Sequence, residues 1–280
     1  MKLLRWGPPG RERPGLLDDA GSIRDLSGIV PDIAGDVLLP GGLDRLRMLD
    51  PAALPLVEGR PRLGPCVGTV GKFVGIGLNY ADHAAELGTP VPPEPVIFLK
   101  ATSSICGPND AIQIPRGSEK CDWEVELGVV IGRTAKYVAE ADALDHVAGY
   151  CVVNDVSERD FQLNRSGTWD KGKGHDTFGP IGPWLVTADA VPDPQDLPLW
   201  LEVDGQRMQD GSTRTMVYGV RFLVSYVSRF MTLHPGDVIA TGTPPGVGQG
   251  MKPPRFLRPG QTIRLSVAGL GVQEQRTVAA

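Results

Sequence analysis

Short apolar runs, and stretches where apolar and polar residues alternate with a period of two, recur along this chain between glycine- and proline-rich turns. These are the patterns of fully and half-buried strands. They predict strands at Lys2–Trp6, 15–17, Ile23–Asp25, Phe73–Gly77, 124–131, 150–154, Val238–Ala240, Thr262–Val267 and 272–277. Segments 200–203 and 206–209 form a hairpin, because Asp204-Gly205 between them suits the positive φ of a two-residue turn. Helical spacing is sustained in one place. Val220, Leu223, Val224, Val227, Phe230 and Met231 recur on one face and predict an amphipathic helix over 219–232, ended by Pro235-Gly236. Shorter helical patterns fall at 43–49, 140–147 and 157–164, the last with Ser157 at its cap and Asp160 three residues on. The expected class is mixed α+β, dominated by strands.

Residues 1–65 hold short strands, one short helix and a run of prolines (Pro51, Pro55, Pro61, Pro65), and no cluster of chemically useful side chains. Proline fixes φ and removes a donor, so that run is expected to be an extended connection. The division expected is a small N-terminal accessory domain over 1–65 and a catalytic domain over 66–280.

Composition narrows the possibilities. With 280 residues, 41% of them apolar and 22% charged, the chain can bury a sizeable core. The net charge of −5 and the lack of a basic stripe argue against nucleic acid or an anionic membrane surface as partner. No apolar run approaches the roughly 20 residues of a membrane span, and the N-terminus is broken too early by Pro8-Pro9 to resemble a signal peptide. Cys66, Cys106, Cys121 and Cys151 have no zinc or redox spacing, which fits reduced thiols and a cytoplasmic setting.

The chemistry starts from two glutamates. Glu124 and Glu126 lead into the apolar run Leu127-Gly128-Val129-Val130-Ile131, and side chains two apart on a strand point the same way. Two like charges at the mouth of a buried strand repel and lose hydration, which a cation relieves; oxygen donors select a hard divalent ion. A solvated edge strand is the ordinary alternative. Asp155, at the end of the next apolar strand, is a candidate third ligand, although the helix that follows would favour a carboxylate there in any case. His83 and Glu86 are three apart among good helix formers, so a carboxylate can orient an imidazole that acts as general base. Gly77 before them and Gly88-Thr89-Pro90 after them would suit a lid. Lys173 lies in the glycine-rich loop 167–177, where an ammonium can approach a carboxylate or an enolate; a nucleotide P-loop spacing is missing. Gly242 and Thr243, at a tight turn after a strand, offer N–H and hydroxyl groups to an anion.

Taken in order, Gly77-Leu78-Asn79-Tyr80-Ala81-Asp82-His83-Ala84-Ala85-Glu86, Asp122-Trp123-Glu124-Val125-Glu126-Leu127, Asn154-Asp155-Val156-Ser157, Lys173-Gly174 and Thr241-Gly242-Thr243-Pro244 resemble the fumarylacetoacetate hydrolase family. The resemblance covers roughly 66–280. It implies a mixed β-roll catalytic fold, usually a homodimer that can assemble further, with Mg2+ or Mn2+ held by Glu124, Glu126 and Asp155. It places His83 and Glu86 as the water-activating dyad and Lys173 beside the substrate. Asn79, Tyr80, Gly242 and Thr243 become expected substrate contacts.

The function expected is that of a cytoplasmic hydrolase acting on the C3–C4 bond of a 2,4-diketo acid. The long form of the chain, with the phrase Gln209-Asp210-Gly211-Ser212-Thr213, looks most like members acting on 2,4-diketo-3-deoxy sugar acids of rhamnonate or fuconate type, giving pyruvate and lactate. The alternatives are ureidoglycolate lyase, fumarylpyruvate hydrolase or oxaloacetate decarboxylase, and a non-catalytic sugar-acid binding protein. The dyad argues against the last. Leu78 stands where some relatives carry an arginine, which counts against dicarboxylic substrates.

Overall fold

A computed structural model describes residues 1–280, and strands dominate it. The main sheet has ten strands. From one edge they run Ile23–Asp25, Arg13–Leu17, Lys2–Trp6, Gly179–Thr187, Val147–Asn154, Val125–Ile131, Val238–Ala240, Phe73–Gly77 and Val96–Lys100, with Ile105–Cys106 beside Gly179–Thr187. A second sheet holds Gln206–Ser212, Pro198–Val203, Thr262–Val267, Val272–Ala279 and Ile112–Ile114. The mixed α+β, strand-dominated class expected from the sequence is the one observed. No helix is long and apolar enough to cross a membrane.

Strand parity explains the layering. In Val125–Ile131 the odd positions Val125, Leu127, Val129 and Ile131 pack into a core shared with Leu199, Leu201, Ile263 and Leu265 of the second sheet. Val130 points the other way, into a second core. That core joins Leu3, Leu16 and Leu26 to Phe73, Cys151, Val153 and Ile181. Residues 1–65 therefore extend the edge of the main sheet and help to cover its second face.

Several elements differ from expectation. The strand carrying the glutamates starts at Val125, not 124. The helix expected over 219–232 spans only Val220–Val227. Its end is captured by a neighbouring loop: Tyr137 N–H donates to Ser228 O at 3.0 Å, and Val138 N–H to Ser228 Oγ at 3.0 Å. Ser157 does not cap the helix after it. Its hydroxyl donates to Asp155 O, and Glu158 caps Arg159–Leu163 by accepting from Phe161 N–H at 2.7 Å. Within the expected glycine-rich loop, Asp170–Lys173 forms one helical turn. Gly172 permits this, since a Cβ there would lie 2.5 Å from Glu158 O.

Candidate active site

The register of two neighbouring strands assembles the acidic cluster. Glu126 lies opposite Val153 and Val125 opposite Asn154. Asp155, one residue further, donates its N–H to Glu124 O at 2.9 Å. All three carboxylates are buried, and ligand oxygens from Glu124, Glu126 and Asp155 come within 4.8 Å of one another. Three buried cations flank them, Lys100, Lys173 and Arg159. Lys173 Nζ donates to Glu124 Oε2 and to Asp155 Oδ2, each at 2.6 Å. Arg159 donates to Glu124 Oε1 at 2.7 Å and to Asp122 Oδ2 at 2.8 Å.

The electrostatics separate the two glutamates. Burial works to raise the Glu124 carboxyl, but Lys173 and Arg159 outweigh it and hold the group well below the usual carboxylate range. Glu126 goes the other way: burial, then Asp155 and Glu124, push it well above that range. Its one protein donor is Gly242 N–H at 2.8 Å. Three buried carboxylates with one of them short of positive partners make a donor set that suits a hard divalent cation.

The dyad sits on the short helix Ala81–Glu86. His83 Nδ1 and Glu86 Oε2 are 3.0 Å apart, and Glu86 Oε1 accepts from Gly246 N–H at 2.9 Å. A Cβ at Gly250 would stand 2.4 Å from the Glu86 carboxyl carbon, so glycine there leaves room for the pair. With Nδ1 donating to Glu86, the lone pair of Nε2 is the one available to accept a proton.

One cavity of about 230 Å³ reaches most of these groups, with Asp155 and Glu86 set behind its wall. His83, Glu124, Glu126, Lys173 and Thr243 all line it. The other expected contacts are placed differently. Asn79 is not on its wall: the side-chain amide donates to Tyr218 O and Thr241 O and accepts from Tyr218 N–H. Tyr80 is fully buried and its hydroxyl has no partner. Gly242 contributes its N–H to Glu126, and Thr243 donates its hydroxyl to Val125 O.

Two buried cations were missed in the sequence. Arg159 had no motif around it to mark it. Lys100 did carry a signal, because alternation along Val96–Lys100 puts it on the inward face with Phe98 while Leu99 points out. Lys100 Nζ donates to Asp155 Oδ1 and to the main-chain oxygen of Lys173, tying the third carboxylate to the lysine turn.

Comparison with known proteins follows the same lines. Residues 72–278 match the family described as fumarylacetoacetate (FAA) hydrolase, C-terminal. A protein of Burkholderia orbicola with a provisional hydrolase name is 72% identical over 278 residues, covering 99% of each chain. The solved fumarylacetoacetate hydrolase of Exiguobacterium antarcticum is 39% identical with a TM-score of 0.86, covering 100% of both chains. The 2-hydroxyhepta-2,4-diene-1,7-dioate isomerase of Mycobacterium marinum is 35% identical with a TM-score of 0.74, covering 100% of this chain and 98% of that one. The maleylpyruvate hydrolase of Sphingobium sp. SYK-6, solved with manganese(II) and pyruvate, is 29% identical with a TM-score of 0.83, covering 100% of both.

Proposed function

This chain belongs to the fumarylacetoacetate hydrolase family, and from that premise we propose that it hydrolyses the C3–C4 bond of an acylpyruvate with the help of Mg2+ or Mn2+. The observation that carries the reading is His83, oriented by Glu86 behind it, on the wall of the same cavity as Glu124, Glu126 and Lys173. A pure binding site has no use for an oriented base beside buried carboxylates. The manganese and pyruvate in the Sphingobium relative support the choice of ion and of product.

Glu124, Glu126 and Asp155 would hold the cation. When bound, it supplies Lewis-acid charge against the enolate oxygen that develops on the pyruvate half. His83 Nε2 removes a proton from water, Glu86 holds the ring and steadies the imidazolium, and the hydroxide adds to C4. The C3–C4 bond breaks, its electron pair leaves on the pyruvate fragment, and protonation at C3 completes pyruvate. The balance is acylpyruvate plus water giving a carboxylate, pyruvate and one proton. Lys173 adds a fixed positive charge beside the substrate head. Arg159 and Lys100 hold Glu124 and Asp155 in place.

Within this class, 2,4-diketo-3-deoxy-rhamnonate or -fuconate is the substrate suggested by the sequence resemblance, with ureidoglycolate cleavage the alternative. The name of the Mycobacterium marinum relative favours a second reading, isomerisation, because proton transfer through the same stabilised carbanion needs no water attack. Pyruvate release separates these. Acylpyruvates, oxaloacetate and ureidoglycolate are assayed with Mn2+ and with chelator, using the natural chain and His83→Ala. The expected result is chelator-sensitive pyruvate release from acylpyruvates, lowered about 10²–10⁴-fold by the substitution with Mn2+ affinity little changed. Turnover of ureidoglycolate alone, or full activity in His83→Ala, would overturn the proposal.

A further inference from the structure

Beyond the carboxylates, one side of the cavity wall is aromatic and apolar, and it is built rather than incidental. Phe98 and Trp169 pack ring against ring, 5.2 Å between centroids. Both rings rest on glycines of one strand. A Cβ on Gly75 would come within 2.2 Å of the Phe98 ring, and one on Gly77 within 2.4 Å of the Trp169 ring. Positions 75 and 77 face the same way on Phe73–Gly77, so the strand omits two successive side chains on one face to seat two aromatic rings. Lys173 Nζ lies 5.0 Å from the centre of the Phe98 ring. The order outward from the substrate head is therefore ammonium, Phe98, Trp169. Ile76, Leu78, Leu87 and Leu163 add further apolar lining.

Polar recognition on this wall is nearly used up. The Arg159 guanidinium is spent on Asp122, Glu124 and the Gln162 side-chain oxygen. Lys173 is held by Glu124 and Asp155. The Thr89 hydroxyl donates to Ala84 O. Setting aside the dyad and the carboxylates, the polar groups left without protein partners on the lining are the Gln249 amide, Gln162 Nε2 and Trp169 Nε1. These scattered groups, set among leucines and aromatic rings, are few against the several hydroxyls of a sugar-acid tail, and hydroxyls buried unpaired oppose binding. The two lining cations, Arg159 and Lys173, are already paired with Asp122, Glu124 and Asp155, which disfavours a second substrate carboxylate.

We propose that Phe98 and Trp169, seated on Gly75 and Gly77, form a subsite for an apolar acyl tail, so that the preferred substrate is a monocarboxylic acylpyruvate with a branched aliphatic or aromatic acyl group. This rests on the acylpyruvate reading above and narrows it away from hydroxylated tails. Displacing water from an aromatic-lined slot favours the longer apolar tail, and one methylene in such a pocket changes kcat/KM by about 10–200-fold.

The test compares kcat/KM for benzoylpyruvate, isovalerylpyruvate, acetylpyruvate, fumarylpyruvate and 2,4-diketo-3-deoxyrhamnonate in the Mn2+-loaded protein. The expected order puts benzoyl- and isovalerylpyruvate at least about tenfold above acetylpyruvate, with the sugar acid and fumarylpyruvate lowest. In Trp169→Ala the benzoyl-to-acetyl ratio falls about tenfold, and Trp169→Phe recovers most of it. Calorimetry supplies a reading independent of turnover: 4-phenyl-2-oxobutanoate should bind about tenfold tighter than pyruvate, with the advantage lost in Trp169→Ala. Cleavage of acetylpyruvate with the sugar acid preferred would overturn the tail subsite while leaving the hydrolase standing. Should no acylpyruvate be cleaved, the hydrolase falls, and equal binding of phenyl-oxobutanoate and pyruvate would then remove the subsite too.

Discussion

Glu124 and Glu126 were legible because parity alone fixes their common direction, and Asp155 because it ends the next buried strand. Their partners were not. Whether a charged residue is buried depends on long-range register, and Arg159 reaches Glu124 only after the strands have paired and the helix Arg159–Leu163 has turned back over them. Asn79 shows the reverse case, a polar side chain that tertiary packing has already engaged. Its place in the polar run suggested a substrate contact, yet its amide joins the segment after strand Phe73–Gly77 to Tyr218 and Thr241. Arg159 offers the clearest stability prediction at this scale. Replacing it by Leu leaves the buried Asp122 without its ion-pair partner and Glu124 with Lys173 alone. Breaking a buried pair from one side costs about 3–5 kcal/mol, so Arg159→Leu should show a clearly lower denaturant midpoint. An unchanged midpoint would mean that the network is solvated and contributes little.

Most strands could be read from alternation or from short apolar runs, and two of those that could not break these rules. Gly179–Thr187 was missed because Pro180 and Pro183 argue against an interior strand, yet it lies between Lys2–Trp6 and Val147–Asn154. The sheet accommodates it through an irregularity: the register with Val147–Asn154 shifts between Tyr150 and Val152. Buried Gln273 also donates its amide to Val152 O and Gly182 O, serving main-chain acceptors there. Val96–Lys100 was missed because it follows Pro92, Pro93 and Pro95 and ends in a lysine. Phe73–Gly77 was recognised as a strand, but its two glycines gave no hint of the rings upon them. Their purpose is testable. Gly75→Ala must push the Phe98 ring aside, which should lower stability by about 1–3 kcal/mol, as other overpacked sites do. If stability is unchanged, the ring is not seated on the strand as described.

Taken whole, the molecule is one continuous sheet with a second sheet against one face and residues 1–65 against part of the other. The expected boundary near 65 follows the proline-rich connection, a local signal. The sharing of a core between Leu3, Leu16, Val130 and Val153 is a long-range fact that composition does not carry. That arrangement holds the glutamate strand at the centre, with its carboxylate end open to one small cavity. The central claim concerns what happens there, and oxygen and hydrogen labels follow it atom by atom. Acetylpyruvate is turned over with Mn2+ in 18O-water, and separately in D2O, and the products are weighed by mass spectrometry. The account predicts that the acetate carboxyl group carries one more 18O than the C4 carbonyl of residual acetylpyruvate, and the pyruvate methyl group one more deuterium than C3 of that residual acetylpyruvate. Recovery of an isomerised diketone with no acetate, or pyruvate formed without solvent oxygen entering the acetate, would contradict it.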